Sequence, residues 1–464
     1  MGTSARRPGD RDFDDPACVR CGECFHRCPE LQLPIDVAVA EIEALRDGRD
    51  GSFVLQHCTT CFSCNLYCRN DGKPYQLILE NWNRLYHQRG APPMYRFICP
   101  TLEGSIFQML EKLMSKEEIR LVEAWMDQEP GETILLVGNF THLYPLILGN
   151  SRLLSHFTPV DLLDHWEVGA TLYQGGYLDV VRRIGEKCKE ELDGWNVKTI
   201  VPFLDAVHHM LSVVQPQQMG VEFDQKIVNF NEWLLQTIDD GDIELSESLG
   251  IKVTLHDNCF SKAGGDEYWT RARELIERTG CEIVEMEHTR ENSRCCGFGA
   301  GASWQRSMNI PFDIFRTSRA KIDEAEATGA DALVTYCTGC LYLLCAAKEL
   351  FRSDLKVYHH VELVRMAMGE DLGVTQEMRL RRAWDLIAII TCHMLTGLFR
   401  GPFEIRELSF GEERWRDRRF LLLRVIRKVL ATRAGRAAYR RIALFLMPRL
   451  SRSGPKVELR GAET

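Results

Sequence analysis

Apolar residues recur along this chain with two periods, and the change from one to the other divides it. Between Asp36 and Asp47, Val39, Ile42 and Leu45 fall at helical spacing behind Asp36, a residue suited to N-capping. A second helical stretch is expected as one bridge from Leu102 to about Gln128, ended by Glu129, Pro130 and Gly131. After that break the apolar residues gather into short continuous runs: Thr133–Val137, closing on Gly138 and Asn139; Thr199–Val201; Ile251–Leu255, closing on His256, Asp257, Asn258 and Cys259; and Asp331–Tyr336. A helical pattern from Asp266 to Thr279 lies between the last two. Strands alternating with helices predict α/β layers. Towards the end, apolar and basic residues mix. Leu386–Phe399 is strongly apolar but too short to span a bilayer. Arg418–Leu430 and Arg436–Leu450 read as basic amphipathic helices, suited to an anionic lipid surface or another protein of a complex, or to packing on the body with one solvated face.

Charge sharpens that division. The net charge is −9, yet residues 375–464 carry 20 Lys and Arg against 9 Asp and Glu, so the remainder is strongly acidic. An acidic body repels phosphate and the tail holds no recognisable nucleic-acid module, so nucleic acid is not an expected partner. At 464 residues the chain has room for two or three cores. Its outlying feature is 18 cysteines. Met1 to Asp15 is polar and charged, without the apolar segment of a secretory signal, so reduced, metal-binding cysteines in the cytoplasm are expected rather than a disulfide scaffold.

Cys18, Cys21, Cys24 and Cys28, followed by Pro29, reproduce the C-x2-C-x2-C-x3-C-P spacing of bacterial ferredoxins; Cys58, Cys61, Cys64 and Cys68 repeat it, with Arg69 in place of the proline. Three thiolates two residues apart wrap one cluster, and the fourth cysteine reaches the neighbouring one. The expected ligand sets are therefore Cys18, Cys21, Cys24 and Cys68 for one [4Fe–4S] cluster, and Cys58, Cys61, Cys64 and Cys28 for the other. Zinc is the alternative, but a zinc module does not call for a third cysteine at this interval twice over. The helical insert between the motifs points to an α-helical ferredoxin domain.

The later cysteines fall as Cys259, then adjacent Cys295 and Cys296 before Gly297, then Cys337 and Cys340. Here the sequence resembles the cysteine-rich CCG domain of the heterodisulfide reductase family. His256 and Asp257 before the first cysteine fit, as does the closing segment His359–Val364, whereas Phe260 stands where the family has a second histidine. With the fused ferredoxin motifs the resemblance covers about residues 15–370. It implies that Cys259, Cys295, Cys296, Cys337 and Cys340 hold a non-cubane [4Fe–4S] cluster and form the catalytic site; a zinc site using four of the five is the alternative. Gly297, Gly299 and Gly301 would let the backbone approach closely. They do not form a dinucleotide fingerprint, and no Walker motif is present, so no nicotinamide or flavin site is expected.

Family members often carry the motif twice. A first copy is traceable here with its ligands missing: Gly138 and Asn139 stand for glycine–cysteine with Pro145 downstream, Glu167, Val168 and Gly169 for Cys-Cys-Gly, and Phe203 and Ala206 for the final pair. The resemblance thus implies an α/β chain with these parts: an α-helical two-cluster ferredoxin domain (1–100), a helical linker (101–130), a CCG repeat without ligands (131–225), an intact CCG repeat (226–372) and a basic helical tail (373–464). His256 and Asp257 are expected to shape the loop or handle protons. Cys99, Cys188, Cys281, Cys345 and Cys392 are expected to be core residues.

These motifs leave two functions open. One is an oxidoreductase component, heterodisulfide reductase-like, that reduces a disulfide or related sulfur substrate. The other is an electron relay between a flavoprotein dehydrogenase of the glycolate or glycerol-3-phosphate type and quinone. Both need redox partners, a flavoprotein or a membrane quinone or cytochrome component. Residues 375–464 are the expected peripheral contact with the cytoplasmic membrane or a partner, and docking through the ligand-free half is a third possibility.

Overall fold

A computed structural model describes residues 13–92, 98, 105–162, 168–301, 313–397, 421–430 and 432–452. Among the described residues before position 93 the elements are helices: Glu23–His26, Ile35–Arg46, Phe53–His57, Ser63–Tyr67 and Pro74–Arg89. The expected insert helix forms, but Asp36 does not cap it. Pro34 occupies that position without a side-chain bond, and Asp36 lies in the first turn, where its charge still meets the positive end of the helix. The bridge also differs from expectation. It is two helices, Ile106–Glu111 and Lys116–Met126, because Ser115 accepts from the Glu118 N–H while the Glu118 carboxylate accepts from the Ser115 N–H. That reciprocal cap starts a new helix where apolar periodicity alone ran on.

Among the described residues eight parallel strands follow: β1 (Thr133–Leu136), β2 (Thr158–Val160), β3 (Thr199–Pro202), β4 (Lys226–Ile227), β5 (Lys252–His256), β6 (Glu282–Ile283), β7 (Ala332–Thr335) and β8 (Lys356–His359). They form two sheets with one connection order, β2-β1-β3-β4 and β6-β5-β7-β8. The central strands are apolar runs buried along most of their length, as parallel strands covered on both faces must be. In each sheet the order reverses between the two central strands. A parallel sheet opens a crevice at such a point, beyond the carboxyl ends of its strands. Here the carboxyl ends of β1, β3, β5 and β7 lead into a single cavity, lined by Asn139, Asp205, His256 and Cys337 among others.

The last described elements are helices Gln376–Gly397, Leu421–Leu430 and Arg433–Arg452. The apolar stretch of the first is packed into the core through Leu386, Ile387, Ile389 and Ile390. Among the described residues no helix is long and apolar enough to cross a membrane. Ion pairs Arg440–Glu349 (2.6 Å) and Arg436–Asp385 (2.9 Å) tie the final helix to the body. Of the five remaining cysteines, Cys188, Cys281, Cys345 and Cys392 are buried, as core residues would be; Cys99 lies outside the described residues.

Candidate functional site

The two cysteine motifs fold into matching loops. Arg20 and Gly22 in the first, and Thr60 and Phe62 in the second, all take left-handed backbone angles between 58° and 75°. Three of these are not glycine, so the conformation is held against its intrinsic cost. This shape turns backbone N–H groups towards the thiols: the Thr60 N–H donates to Cys58 Sγ (3.4 Å). Gly22 has no room for a side chain, since a Cβ would lie 2.9 Å from the Val39 nitrogen.

Cys18, Cys21, Cys24 and Cys68 line one cavity near the surface. The Gly72 N–H donates to Cys68 Sγ (3.2 Å), and a Cβ on Gly72 would stand 3.4 Å from that sulfur and 3.6 Å from the Cys18 Cα, so the first and last cysteines meet across it. Cys21 is exposed and Cys18 half-buried. Cys28, Cys58, Cys61 and Cys64 are all buried. Burial and then the nearby sulfurs push the Cys58 thiol up to about 12, and Cys64 is raised by burial and by Cys58, Cys24, Cys61 and Cys28. Thiols crowded in this way repel one another as thiolates. A cationic iron–sulfur core suits such a donor set, because it supplies the positive charge the protein withholds.

Thr59, Thr60 and Cys61 also form one wall of the cavity at the strand ends. The opposite wall brings together Cys259, Cys295, Cys296, Cys337 and Cys340. His256, Cys296 and Cys340 have their donor atoms within 4.8 Å of one another. Hydrogen bonds from Cys295, Cys340 and His256 hold the Cys296 thiol well below the usual range, at the expense of Cys295 and Cys340, which are raised. Burial keeps the His256 imidazole neutral. Gly297 and Phe298 donate backbone N–H groups to Cys295 Sγ (3.3 Å) and Cys296 Sγ (3.5 Å). Gly297 has φ +102° and its missing Cβ would meet the Ile314 carbonyl at 2.4 Å, so only glycine fits there. This set of five sulfurs with one imidazole exceeds the four ligands of a tetrahedral zinc site and suits a larger iron–sulfur group.

Asp257 does not line up with the thiols as a proton donor. Arg273 grips both its oxygens (2.8 and 2.9 Å), Tyr336 Oη donates at 2.7 Å and the Arg290 N–H at 2.6 Å, which together hold the carboxyl below its ordinary range despite burial. It fixes the loop that carries His256 and Cys259.

Several residues of this cavity escaped sequence reasoning. Gln174 donates to Cys259 Sγ and to the Thr60 carbonyl, both at 3.2 Å, and so clips the two walls together. Lys262 is buried, donates to the Ser293 carbonyl (2.7 Å) and stays charged beside Cys61, Cys295, Cys259 and Glu30. Glu30 accepts from the Cys295 N–H (2.7 Å). Asp205 faces the cavity from the sheet without cysteines. Its only sequence signal was its place between the expected positions Phe203 and Ala206. Asn139, Gly169 and Ala206 line the cavity too; Phe203 packs instead on Phe230 and His359, and Glu167 lies outside the described residues.

Comparison with known proteins agrees with this geometry. The family "4Fe-4S dicluster domain" matches residues 12–69, and "CCG: Cysteine-rich domain" matches residues 253–344. A component of the dihydromethanophenazine:CoB–CoM heterodisulfide reductase of Methanosarcina mazei is 23% identical over 394 residues, which is 76% of this chain and 94% of the relative. The probable iron-sulfur-binding oxidoreductase FadF of Bacillus subtilis is 27% identical over 78% of this chain and 48% of its own length. The EtfAB:quinone oxidoreductase of Syntrophomonas wolfei is 24% identical over 39% of this chain and 25% of its own length. The chain thus joins a 4Fe-4S dicluster domain to a CCG cysteine-rich domain, and stands among the iron–sulfur oxidoreductase-like relatives of heterodisulfide reductase.

Proposed function

We propose that this chain is the sulfur-reducing component of a redox complex. In this reading Cys18, Cys21, Cys24 and Cys68 hold an outer [4Fe–4S] cluster, Cys28, Cys58, Cys61 and Cys64 an inner one, and Cys259, Cys295, Cys296, Cys337 and Cys340 a non-cubane cluster. When bound, that last group would supply one-electron chemistry at a disulfide or related sulfur bond. The observation that carries the reading is the shared cavity: the five cysteines face the loop of the inner quartet, while the outer quartet opens to the surface through Cys21. Electrons from a partner would enter at the exposed edge and arrive beside Cys295, whose thiol reaches towards the Thr59 carbonyl (3.8 Å). Gln174 bonds to both walls, and Gly299 lets them approach closely.

The sheet of β1–β4 supports the idea of a CCG repeat that kept its fold and lost its ligands. Its strand order equals that of β5–β8, and the cavity is lined by Asn139 and Ala206, which stand where the motif has cysteines, and by Gly169, which stands where it has the glycine. Only one special cluster would then face the substrate.

The final helices fit a peripheral contact with an anionic membrane. Between 421 and 452 there are nine Lys and Arg and no acidic residue, and Val425, Val429, Ile442, Phe445 and Leu446 are exposed. The relay role between a flavoprotein and quinone is the second reading, favoured by the similarity to EtfAB:quinone oxidoreductase.

The two readings separate on purified anaerobic protein. Viologen-driven reduction of bis(2-hydroxyethyl) disulfide, lost in Cys295→Ser while both cubanes still reduce, supports sulfur chemistry. Cubanes that cycle without any disulfide reduction support the relay.

A further inference from the structure

The half of the cavity that lacks cysteines is not chemically blank. We infer that Asp205 is the proton donor to the sulfur released when the substrate bond is cleaved, an inference that rests on the sulfur-reducing role proposed above.

Asp205 starts the short helix Asp205–His209 at the carboxyl end of β3 and faces the same cavity as the five cysteines. It is 7% exposed, and its setting is built rather than incidental. Asn229 Nδ2 donates to one carboxyl oxygen and Asn258 Nδ2 to the other, both at 3.3 Å. Neither amide can turn over. Asn229 Oδ1 accepts from Asn231 and Glu232 N–H at the start of helix Phe230–Asp239, and Asn258 Oδ1 accepts from the Ser261 N–H at the start of helix Cys259–Gly264. Two caps therefore aim two neutral donors at one buried acid.

Among the described residues no cation pairs with that acid. Arg271 is the charged group that lowers it, and Arg271 itself pairs with Glu232 (3.0 Å) and Glu267 (3.1 Å). Around it, Tyr268 and Tyr336 are neutral phenols, and burial holds His208 and His209 at about 4, so both are neutral as well. Lys262, the cationic side chain on the cavity wall among the described residues, is committed to the Ser293 carbonyl and the sulfur side. Burial outweighs the amide donors and lifts the Asp205 carboxyl to about 6. It is a carboxylic acid that still carries its proton in mildly acidic solution and gives it up near neutrality, the range in which a general acid is useful.

The balance is simple. A disulfide takes up two electrons and two protons and becomes two thiols. The electrons come from a reduced partner protein by way of the ferredoxin domain. As the sulfur–sulfur bond breaks, Asp205 transfers its proton to the departing thiolate, the second thiolate takes its proton from water, and Asp205 is reprotonated by solvent.

The test compares wild type, Asp205→Asn and Asp205→Glu as full-length holoprotein, with intact cluster absorbance as the check on folding. Asp385 is also lifted to about 6 by burial, so infrared difference spectra between pH 5 and 8 should show protonated carboxylic acids that ionise near pH 6 in wild type. The part of that band due to Asp205 should be missing in Asp205→Asn and kept in Asp385→Asn. With reduced methyl viologen and bis(2-hydroxyethyl) disulfide, wild-type turnover should fall as pH rises through about 6. Asp205→Asn should lose that limb and about a hundredfold of the rate at pH 5.5, and Asp205→Glu should restore the limb. Unchanged rate and pH profile in Asp205→Asn, or an acid band of undiminished amplitude in that variant, overturns the inference while leaving the sulfur role intact. Absence of turnover in wild type with normally reduced cubanes overturns both.

Discussion

Replacing Arg273 by alanine isolates the element that sets the CCG loop. Asp257 has no solvent exposure and receives two guanidinium bonds of 2.8 and 2.9 Å, with Glu285 on the other side of Arg273 at 2.7 Å. Removing the guanidinium leaves Asp257 with the Tyr336 hydroxyl and the Arg290 N–H and, among the described residues, no cation bonded to it. Breaking one partner out of a buried pair costs about 3–5 kcal/mol, because the other charge stays behind uncompensated. A whole domain is worth only about 5–15 kcal/mol. Arg273→Ala should therefore weaken the unit around β5–β8 by roughly that amount, and in the proposed reading the group held at Cys259 should be lost first. Arg273→Lys should fall between, since one ammonium cannot reproduce the two-pronged contact. Combining Arg273→Ala with Asp257→Asn should recover at least about 2 kcal/mol, because the stranded charge is gone while an acceptor for Tyr336 remains. Urea titration of anaerobic protein, followed by cluster absorbance and by far-ultraviolet dichroism, reads both changes. A loss below about 1 kcal/mol in the single variant, or a double variant no better than the single, refutes the reasoning.

Three more outcomes follow from other places in the fold. A Cβ on Gly299 would sit 2.2 Å from the Thr59 carbonyl and 2.4 Å from Thr60 Oγ1, so Gly299→Ala should push the two walls apart, cost about 1–3 kcal/mol of overpacking and slow electron arrival at the CCG site; stopped-flow reduction with an unchanged slow phase would contradict this. His360 is buried, donates from Nε2 to Asn231 Oδ1 (2.7 Å) and is held at about 3, so the folded state refuses a proton that the unfolded chain accepts below about 6.5. Stability from this residue is complete above about pH 6.5 and declines by up to about 1.4 kcal/mol per pH unit as pH falls towards about 3, and His360→Asn should flatten the acid limb of a thermal-unfolding profile; an identical limb would remove His360 from the account. Phe445→Asp, at a residue 61% exposed, should release full-length protein from sedimenting phosphatidylglycerol-containing vesicles without loss of cluster absorbance; equal sedimentation of both proteins would leave the basic helices to a protein partner.

What the sequence disclosed follows from which signals are local. Cysteine spacing marked out the two matching loops, since their shape is set within a few residues of the cysteines. Apolar runs located β1, β3, β5 and β7, because buried parallel strands need uninterrupted apolar residues. Apolar periodicity runs on across Ser115 and so predicts one bridge helix, whereas the Ser115–Glu118 cap, legible in the sequence, starts a second. Asp36 has the residue type of a cap, but the helix begins one residue earlier at Ile35, behind Pro34. Residues that complete the cavity were hidden for a different reason. Gln174, Lys262 and Asp205 come from three elements far apart in sequence, and their common role exists only once two sheets point their strand ends at one space. A buried lysine or aspartate carries no mark of burial in the sequence itself.

The central claim, that substrate sulfur meets a special cluster held by the CCG cysteines, is tested most directly by electron paramagnetic resonance on anaerobically purified protein oxidised in the presence of a thiol. The account predicts a thiol-dependent paramagnetic signal in wild type that disappears in Cys295→Ser, with the signals of the two reduced cubanes unchanged. If neither protein gives such a signal while both cubanes reduce normally, the CCG site does not handle substrate sulfur and the chain is a relay.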